Sequence, residues 1–139
     1  MEVYHLIENV NVVFITAPEF PNDVPATYEK LKALLPNKPN RRYFGISHPD
    51  PNGKIQYKAA AEILPDEEFV SSELQHYCIE KGNFISQYIV NHFKDSNSIG
   101  DCFQTLLKHP QIDQNGYCLE LYKNYDDLDV HCLVRLKSK

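Results

Sequence analysis

The order of predicted elements repeats once along this chain, and this repeat limits the possible folds more than any other feature. Residues 12–63 contain a β-branched apolar strand, a proline-rich loop, a helix with an apolar stripe, and two strands joined by an Asn-Gly turn. The same order returns over residues 84–136. Two β-α-β-β units in one short chain predict a pseudo-twofold α+β domain, with an antiparallel sheet, two helices and a central groove.

Apolar periodicity and turn residues set the predicted boundaries. Strands are expected at 12–17, 42–48, 54–63, 74–80, 84–89, 117–122 and 130–136. Helices are expected at 23–35 and 98–108, the second with Ser98 as its N-cap. Residues 1–11 are expected to be an irregular lead-in.

The two units can be aligned by their strands. Placing Tyr43 over Tyr117 makes Ile46 equivalent to Glu120 and Tyr57 equivalent to His131. All 139 residues are therefore expected to form a single domain, which is also the domain count that this length favours.

The charge balance excludes some classes of partner. The formal net charge is −5, whereas a nucleic-acid-binding surface needs a basic stripe. No glycine-rich loop is present to hold a phosphate. Direct nucleic-acid binding is therefore not expected, and a neutral or cationic ligand is favoured over an anionic one.

The amino terminus and the cysteines bear on localisation. No basic region followed by an apolar run begins the chain, and no apolar run approaches membrane-spanning length. We therefore expect a cytoplasmic protein that does not enter the membrane, with reduced, buried cysteines at 78, 102, 118 and 132. In a hairpin of the last two strands, Cys118 and Cys132 would lie nearly opposite each other, which would allow a disulfide under oxidation.

The polar residues do not form a recognisable metal or catalytic constellation. The six histidines lack metal-ligand spacing, and no Ser-His-Asp or Cys-His arrangement is supported. Asp126, Asp127 and Asp129 are most simply a solvated turn, although three acids could attract a cation weakly. No metal, cofactor or catalytic residue is therefore predicted.

One glutamate stands out from its strand. The segment 116–122, Gly-Tyr-Cys-Leu-Glu-Leu-Tyr, alternates so that Leu119 and Leu121 point one way, and Glu120 and Tyr122 the other. Strands disfavour Glu, and an ionised carboxylate between apolar neighbours requires a partner or solvent. Glu120 therefore lies either on a solvated face or in a cavity that uses its charge.

Several short motifs, in this order, resemble a known family. They are Arg-Tyr-Phe-Gly-Ile at 42–46, Gly-x-Phe at 82–84 and Gly-Tyr-x-x-Glu-x-Tyr at 116–122. Together with the repeated β-α-β-β order, they make residues 12–136 similar to the GyrI-like (gyrase-inhibitor-like) effector-binding domain. This domain is also the ligand-binding half of many multidrug-responsive bacterial transcription regulators. We do not expect the separate helix-turn-helix of those regulators within these 139 residues.

The resemblance implies an aromatic-lined hydrophobic groove and a stand-alone domain that binds an apolar or cationic aromatic small molecule. Glu120 occupies the position of a family glutamate that pairs with cationic ligands. The expected ligand-binding residues are Glu120, Tyr122, Tyr88, Phe84, Phe44 and Tyr57, whereas Tyr28 and Phe103 are expected in the core.

Two other functions remain open at this point. One is a hydrolase of reactive electrophilic small molecules, with Glu120 as general base and Tyr122 or Tyr57 donating a proton. The other is a protein-interaction module of gyrase-inhibitor type, which would expose a hydrophobic patch to its partner.

Overall fold

Two helices and eight strands follow one another over residues 1–138, the part of the chain that this computed structural model describes. The strands are β1 Glu2–Leu6, β2 Val10–Thr16, β3 Tyr43–Pro49, β4 Ile55–Glu62, β5 Gln75–Ile79, β6 Gly82–Ile89, β7 Cys118–Tyr122 and β8 Val130–Arg135. The helices are α1 Val24–Ala33 and α2 Ser98–Leu106, and a short 3-10 turn covers His92–Lys94. The fold is α+β, as predicted.

All eight strands join one curled antiparallel sheet in the order β1-β6-β8-β7-β3-β4-β2-β5. This order is symmetric about the central β3–β7 pair, because β4, β2 and β5 on one side match β8, β6 and β1 on the other. The predicted hairpins β3–β4 and β7–β8 are both present. Each half also exchanges its first strand, since β1 pairs with β6 and β5 pairs with β2.

The helices lie on one face of the sheet, which we call the helix face. Helix α1 packs on β2 and β4, where its buried Leu31 meets Val13, Ala59 and Ala61. Two alanines at this contact let the helix approach the strand closely. Helix α2 packs on β6 and β8 through Phe103 and Leu106. The central pair β3–β7 is therefore left between the two helices.

The other side of the sheet, the opposite face, closes into its own apolar core. Phe44, Phe84, Leu119 and Leu133 are buried there with residues from both edge strands. Tyr77 from β5 reaches across to Tyr117, with ring centroids 6.0 Å apart. The curl of the sheet thus buries both faces, which explains the near-continuous apolar runs of the central strands.

The amino-terminal expectation was wrong. Residues 1–11 are not irregular, because they form β1 and the start of β2. Strand β1 lies at the edge of the sheet, and of its five residues only Leu6 is buried. A half-exposed edge strand lacks the apolar run on which the prediction of a strand depends.

The predicted cap of the second helix was wrong by one residue. Asn97 is the N-cap, and Ser98 is already the first helical residue. The Ser98 hydroxyl instead donates to the carbonyl of His92 at 3.1 Å. This bond fastens the 3-10 turn to the start of α2.

The proposed register between the units was also wrong. Tyr43 faces the helices, whereas Tyr117 packs in the core of the opposite face. Ile46 and Glu120 likewise lie on different faces, because Ile46 belongs to the opposite-face core and Glu120 pairs with Gly45. Side chains alternate between the two faces along a strand. An alignment of the two units that keeps equivalent residues on the same face must therefore be shifted from the proposed alignment by an odd number of residues.

The cysteines are free thiols in this structure. Cys118 pairs with Val134 rather than lying opposite Cys132, so that expectation was wrong. Cys132 instead lies opposite Glu120.

The helices of residues 1–138 are short: α1 has ten residues and α2 nine, and none is long and apolar enough to cross a bilayer.

Candidate functional site

Glu120 lies at the centre of the molecule, on the helix face between α1 and α2. Leu119 and Leu121 point into the opposite-face core, as the alternation predicts. The glutamate is only 7% exposed, so the alternative of a solvated strand face is wrong. Its cross-strand partner is Gly45 of β3, the middle pair of the five that join β3 to β7.

Two phenols bind the same oxygen of this carboxylate. Tyr57 donates to Oε1 from 3.1 Å and Tyr122 donates to it from 2.5 Å. Within residues 1–138, Oε2 accepts no side-chain hydrogen bond, and no Lys, Arg or His nitrogen lies within 4 Å of the carboxylate. The second oxygen is therefore the acceptor that remains for a ligand.

Gly45 makes room for this arrangement. A Cβ built on Gly45 would lie 2.0 Å from the Tyr57 hydroxyl oxygen and 3.0 Å from Cδ of Glu120. Any side chain here would push the phenol away from the carboxylate. The glycine of the Arg-Tyr-Phe-Gly-Ile strand thus has a direct role in the site, although no local pattern indicates which residues it accommodates.

Aromatic rings cover Tyr57 from the α1 side. The Tyr28 hydroxyl lies 2.9 Å from that of Tyr57 and also donates to the backbone carbonyl of Phe44 at 2.7 Å. The ring of Phe20, from the loop before α1, stacks on Tyr57 with centroids 5.6 Å apart and an interplanar angle of 18°. Phe20 is 40% exposed, so it separates Tyr57 from solvent.

Tyr122 closes the site from the α2 side. Its ring lies 6.5 Å from the ring of Tyr28 and 5.7 Å from that of His92, both measured between centroids. Burial lowers the pKa of His92, although Asp127 and Asp129 oppose this shift. A lowered pKa favours the neutral imidazole, so His92 is poorly suited to supply a positive charge to Glu120.

Burial also governs the ionisation of the carboxylate. Desolvation raises the pKa of Glu120, and the hydrogen bonds from Tyr122 and Tyr57 lower it in part. Desolvation, followed by the charge of Glu120, raises the pKa of Tyr28, Tyr57 and Tyr122. The three phenols therefore keep their protons, and the site is a carboxylate beneath neutral hydrogen-bond donors.

Three of the six predicted ligand-binding residues lie elsewhere. Phe44 and Phe84 are in the opposite-face core, and Tyr88 lies on that same face, against the ring of His131 at 4.7 Å. The prediction that these three rings surround Glu120 was wrong, because alternation directs them through the sheet. Tyr57 and Tyr122 are the predicted aromatic residues that do contact the carboxylate.

Sequence reasoning missed four members of the site: Phe20, Tyr28, Gly45 and His92. Tyr28 was predicted to be core on its helix stripe, and it is half-buried with its hydroxyl directed at Tyr57. The spacing of the stripe could have placed Tyr28 over the sheet. Phe20 lies in a loop and His92 begins the short 3-10 turn, and periodicity carries no signal in either place.

Neither of two open cavities in the structure reaches Glu120. One, of about 480 Å³, lies beside β2 and β5 and is lined by Asn11, His76 and Tyr77. The other, of about 470 Å³, lies beside α2. The 7% exposure of Glu120 and its contacts show that aromatic neighbours cover it in this conformation. Among residues 1–138, no group of three or more His, Cys, Asp or Glu side chains is placed to hold a metal.

Comparison with solved structures finds an integron cassette protein from the mobile metagenome of Vibrio cholerae. Its TM-score is 0.66 at 12% sequence identity, over 98% of this chain and 95% of that one. At this identity the likeness shows a shared fold alone. No protein-family model and no curated protein matches the chain.

Proposed function

We propose that this chain is a GyrI-like small-molecule-binding domain that holds a lipophilic aromatic cation against Glu120. One observation carries the proposal: the carboxylate is buried, both of its phenol partners use Oε1, and Oε2 faces no cation of residues 1–138. An ionised carboxylate in such a place is costly unless a positive charge comes to it. A cationic ligand would supply that charge.

The surroundings also suit the apolar part of such a ligand. The rings of Phe20, Tyr28, Tyr57 and Tyr122 lie together beside the carboxylate. Aromatic faces attract cations, and they contribute apolar area without presenting a second charge. A flat cation could stack on these rings while its charged nitrogen approaches Oε2.

Binding requires the site to open, because Glu120 is covered in this conformation. Phe20 is the cover best placed to move, since it belongs to the loop between β2 and α1 and is partly exposed. Displacing its ring from Tyr57 would open a path towards the carboxylate. The ligand would then select an open form of the site.

The arrangement favours binding over hydrolysis. A general acid must release its proton to the substrate, but the Tyr57 and Tyr122 hydroxyls both donate to Glu120. Their raised pKa values also hold those protons. A domain that only binds needs no such release.

The test is titration of a lipophilic cationic dye, followed by fluorescence, against the wild type and Glu120→Gln. The variant keeps the shape and removes the charge. We expect the dye to bind the variant about 1–3 kcal/mol more weakly, which is about 5- to 150-fold in Kd. A neutral dye of the same size should bind both proteins equally.

Glu73→Gln is the matched control, because it also removes one carboxylate but from an exposed ion pair with Lys30. Dye affinity should not change in this variant. Equal affinity of the cation for wild type and Glu120→Gln would rule out the proposed role of Glu120. Turnover of a reactive ester by the wild type, lost in Glu120→Gln, would instead support the hydrolase.

A further inference from the structure

A second surface of the molecule combines exposed apolar side chains with acidic ones. Val90, Phe93 and Leu128 are 69%, 71% and 51% exposed, although residues of their size and type are usually buried. Val90 and Phe93 lie in the segment between β6 and α2, and Leu128 lies in the loop between β7 and β8. We call these three residues, with Asp95, Asp101, Asp126, Asp127 and Asp129, the acidic–apolar patch.

Backbone hydrogen bonds hold the two loops of this patch together. The His92 amide donates to the carbonyl of Leu128 at 2.9 Å, and the Asn91 amide donates to Oδ1 of Asp129 at 2.8 Å. Tyr88 donates to the other oxygen of Asp129 at 2.9 Å. The apolar side chains therefore project from a braced surface and not from separate loose loops.

The cavity of about 470 Å³ beside α2 adjoins Val90, one of the three apolar residues of the patch. Its walls include Val90, Asp95, Asp101 and Thr105, so it runs from the end of β6 along the first turns of α2. The cavity is mainly polar, and it brings the apolar residues Ile89 and Val90 next to Asp95 and Asp101. An extended or helical segment could insert an apolar side chain here and place a cation beside either aspartate.

Charge indicates which occupant fits. Five aspartates belong to the patch, whereas Lys94 and Lys123 are the lysines of the same two segments. The whole chain also carries a formal charge of −5. A second copy would bring the same acidic surface against this one, which like-charge repulsion opposes.

We propose that the acidic–apolar patch docks a basic segment of a partner protein, with apolar anchors over Phe93, Val90 and Leu128 and with Lys or Arg side chains facing the aspartates. An apolar centre with a charged rim is the usual composition of a docking surface. The partner's charges speed and orient its approach, and its apolar anchors supply most of the affinity. None of the patch side chains hydrogen-bonds to Glu120, although the His92 ring lies between the two places, with its centroid 4.2 Å from that of Phe93 and 5.7 Å from that of Tyr122. The docking proposal rests on the exposed side chains of the patch and not on the small-molecule function.

The probe is a synthetic amphipathic peptide of about 14 residues, four helical turns, with leucines on one face and lysines on the other. Its matched control carries glutamates in place of the lysines. Each is titrated into the full chain labelled with nitrogen-15. We expect the basic peptide to shift the amides of residues 88–101 and 126–129, and the acidic peptide to leave them unchanged.

Two variants test whether the peptide binds at the acidic–apolar patch. Phe93→Asp removes the most exposed apolar anchor, and the double variant Asp95→Lys, Asp101→Lys reverses the charge of the cavity. Each should weaken binding of the basic peptide by about tenfold or more. Ile7→Asp is the control, because Ile7 is 81% exposed but lies beyond the end of β1 that pairs with Gly82, away from Val90. Dispersed amide spectra establish that each variant is folded.

Four outcomes would overturn the proposal. They are no shift at about 1 mM basic peptide, equal binding of the acidic peptide, unchanged affinity in both patch variants, or shifts centred outside the patch. Shifts of the same amides that depend on protein concentration, without peptide, would instead show self-association. The occupant of the patch would then be a second copy of this chain and not a basic partner, which would also overturn the proposal.

Discussion

Glu120 makes its own contribution to the pH dependence of stability. Its pKa in the folded chain is raised above the ordinary value of 4.5, chiefly by desolvation. For an acid with a raised pKa, the folded state is favoured by protonation. The contribution of Glu120 to stability is therefore most favourable below pH 4.5 and declines as pH rises from there through the folded pKa.

Glu120→Gln removes this titration, so the variant should equal or exceed the wild type in free energy of unfolding at pH 7. The advantage of the variant should shrink on acidification towards pH 4.5, by at most about 1.4 kcal/mol per pH unit, because one proton is involved. Urea unfolding of both proteins across this range measures the difference. A gap that widens on acidification would contradict the raised pKa.

The sequence indicated the importance of Glu120 because a glutamate between two leucines of a predicted strand must either face solvent or lie in a site that uses its charge. It also indicated Tyr122, two residues along the same face. It failed for Phe44 and Phe84 because aromatic content alone does not say to which side of a sheet a ring points. Gly45 settles this for Phe44, since adjacent residues of a strand face opposite ways.

At the scale of elements, the segment between β4 and β5 is anchored by a buried ion pair. Arg41 is fully buried, and its Nη1 and Nη2 donate to Oε1 and Oε2 of Glu67 at 2.6 and 2.7 Å. The Leu64 amide and the Lys38 ammonium bind the same carboxylate. Glu67 thus fastens the segment after β4 to the segment before β3.

Glu67→Gln leaves the buried guanidinium without its counter-charge. We expect it to lower the free energy of unfolding at pH 7 by about 3–5 kcal/mol, the usual cost of breaking a buried pair. Glu73→Gln, from the exposed pair with Lys30, should cost less than about 1 kcal/mol. Thermal and urea unfolding of the two variants compare these costs.

The pH dependence of this pair has the opposite sign to that of Glu120. Arg41 and its hydrogen bonds lower the pKa of Glu67 to about 2, so its contribution is present above pH 4.5 and is lost as pH falls towards 2. The shift corresponds to about 3 kcal/mol. The free energies of unfolding of Glu67→Gln and the wild type should therefore differ less at pH 2–3 than at pH 7. A difference that is the same at both pH values would contradict the ion-pair account.

Elements were predictable where they were strongly periodic. Both helices and the hairpins β3–β4 and β7–β8 follow from apolar stripes and turn residues. Strand β1 did not, because an edge strand leaves most of its side chains exposed. The exchange of β1 and β5 between the halves was equally hidden, since no local pattern states which distant strand will be a partner.

At the scale of the whole molecule, two similar halves are joined along β3 and β7. Gly45 and Glu120 form the middle pair of this junction. Gly45→Ala should push the Tyr57 phenol off Glu120, because the new methyl carbon would lie 2.0 Å from the phenol oxygen. We expect a loss of about 1–3 kcal/mol in unfolding free energy and weaker binding of the cationic dye.

Gly100→Ala is the control for this variant. Gly100 is an exposed position of α2 with no atom within 4 Å of a new Cβ, so alanine there should be neutral or stabilising by up to about 1 kcal/mol. Urea unfolding and dye titration are measured on both variants. Similar behaviour of the two would mean that the space over Gly45 is not needed by Tyr57.

The unlike residues at this junction have a consequence for how such a fold can evolve. In a homodimer of identical halves, symmetry gives both members of a central pair the same identity. Two glycines there would offer no charge, and two glutamates would repel each other. Once a single polypeptide carries both halves, the two positions can mutate independently. One half can then keep a glycine that leaves space, and the other half can place a carboxylate beside that space. The resulting site is asymmetric, which a symmetric homodimer of identical halves does not allow.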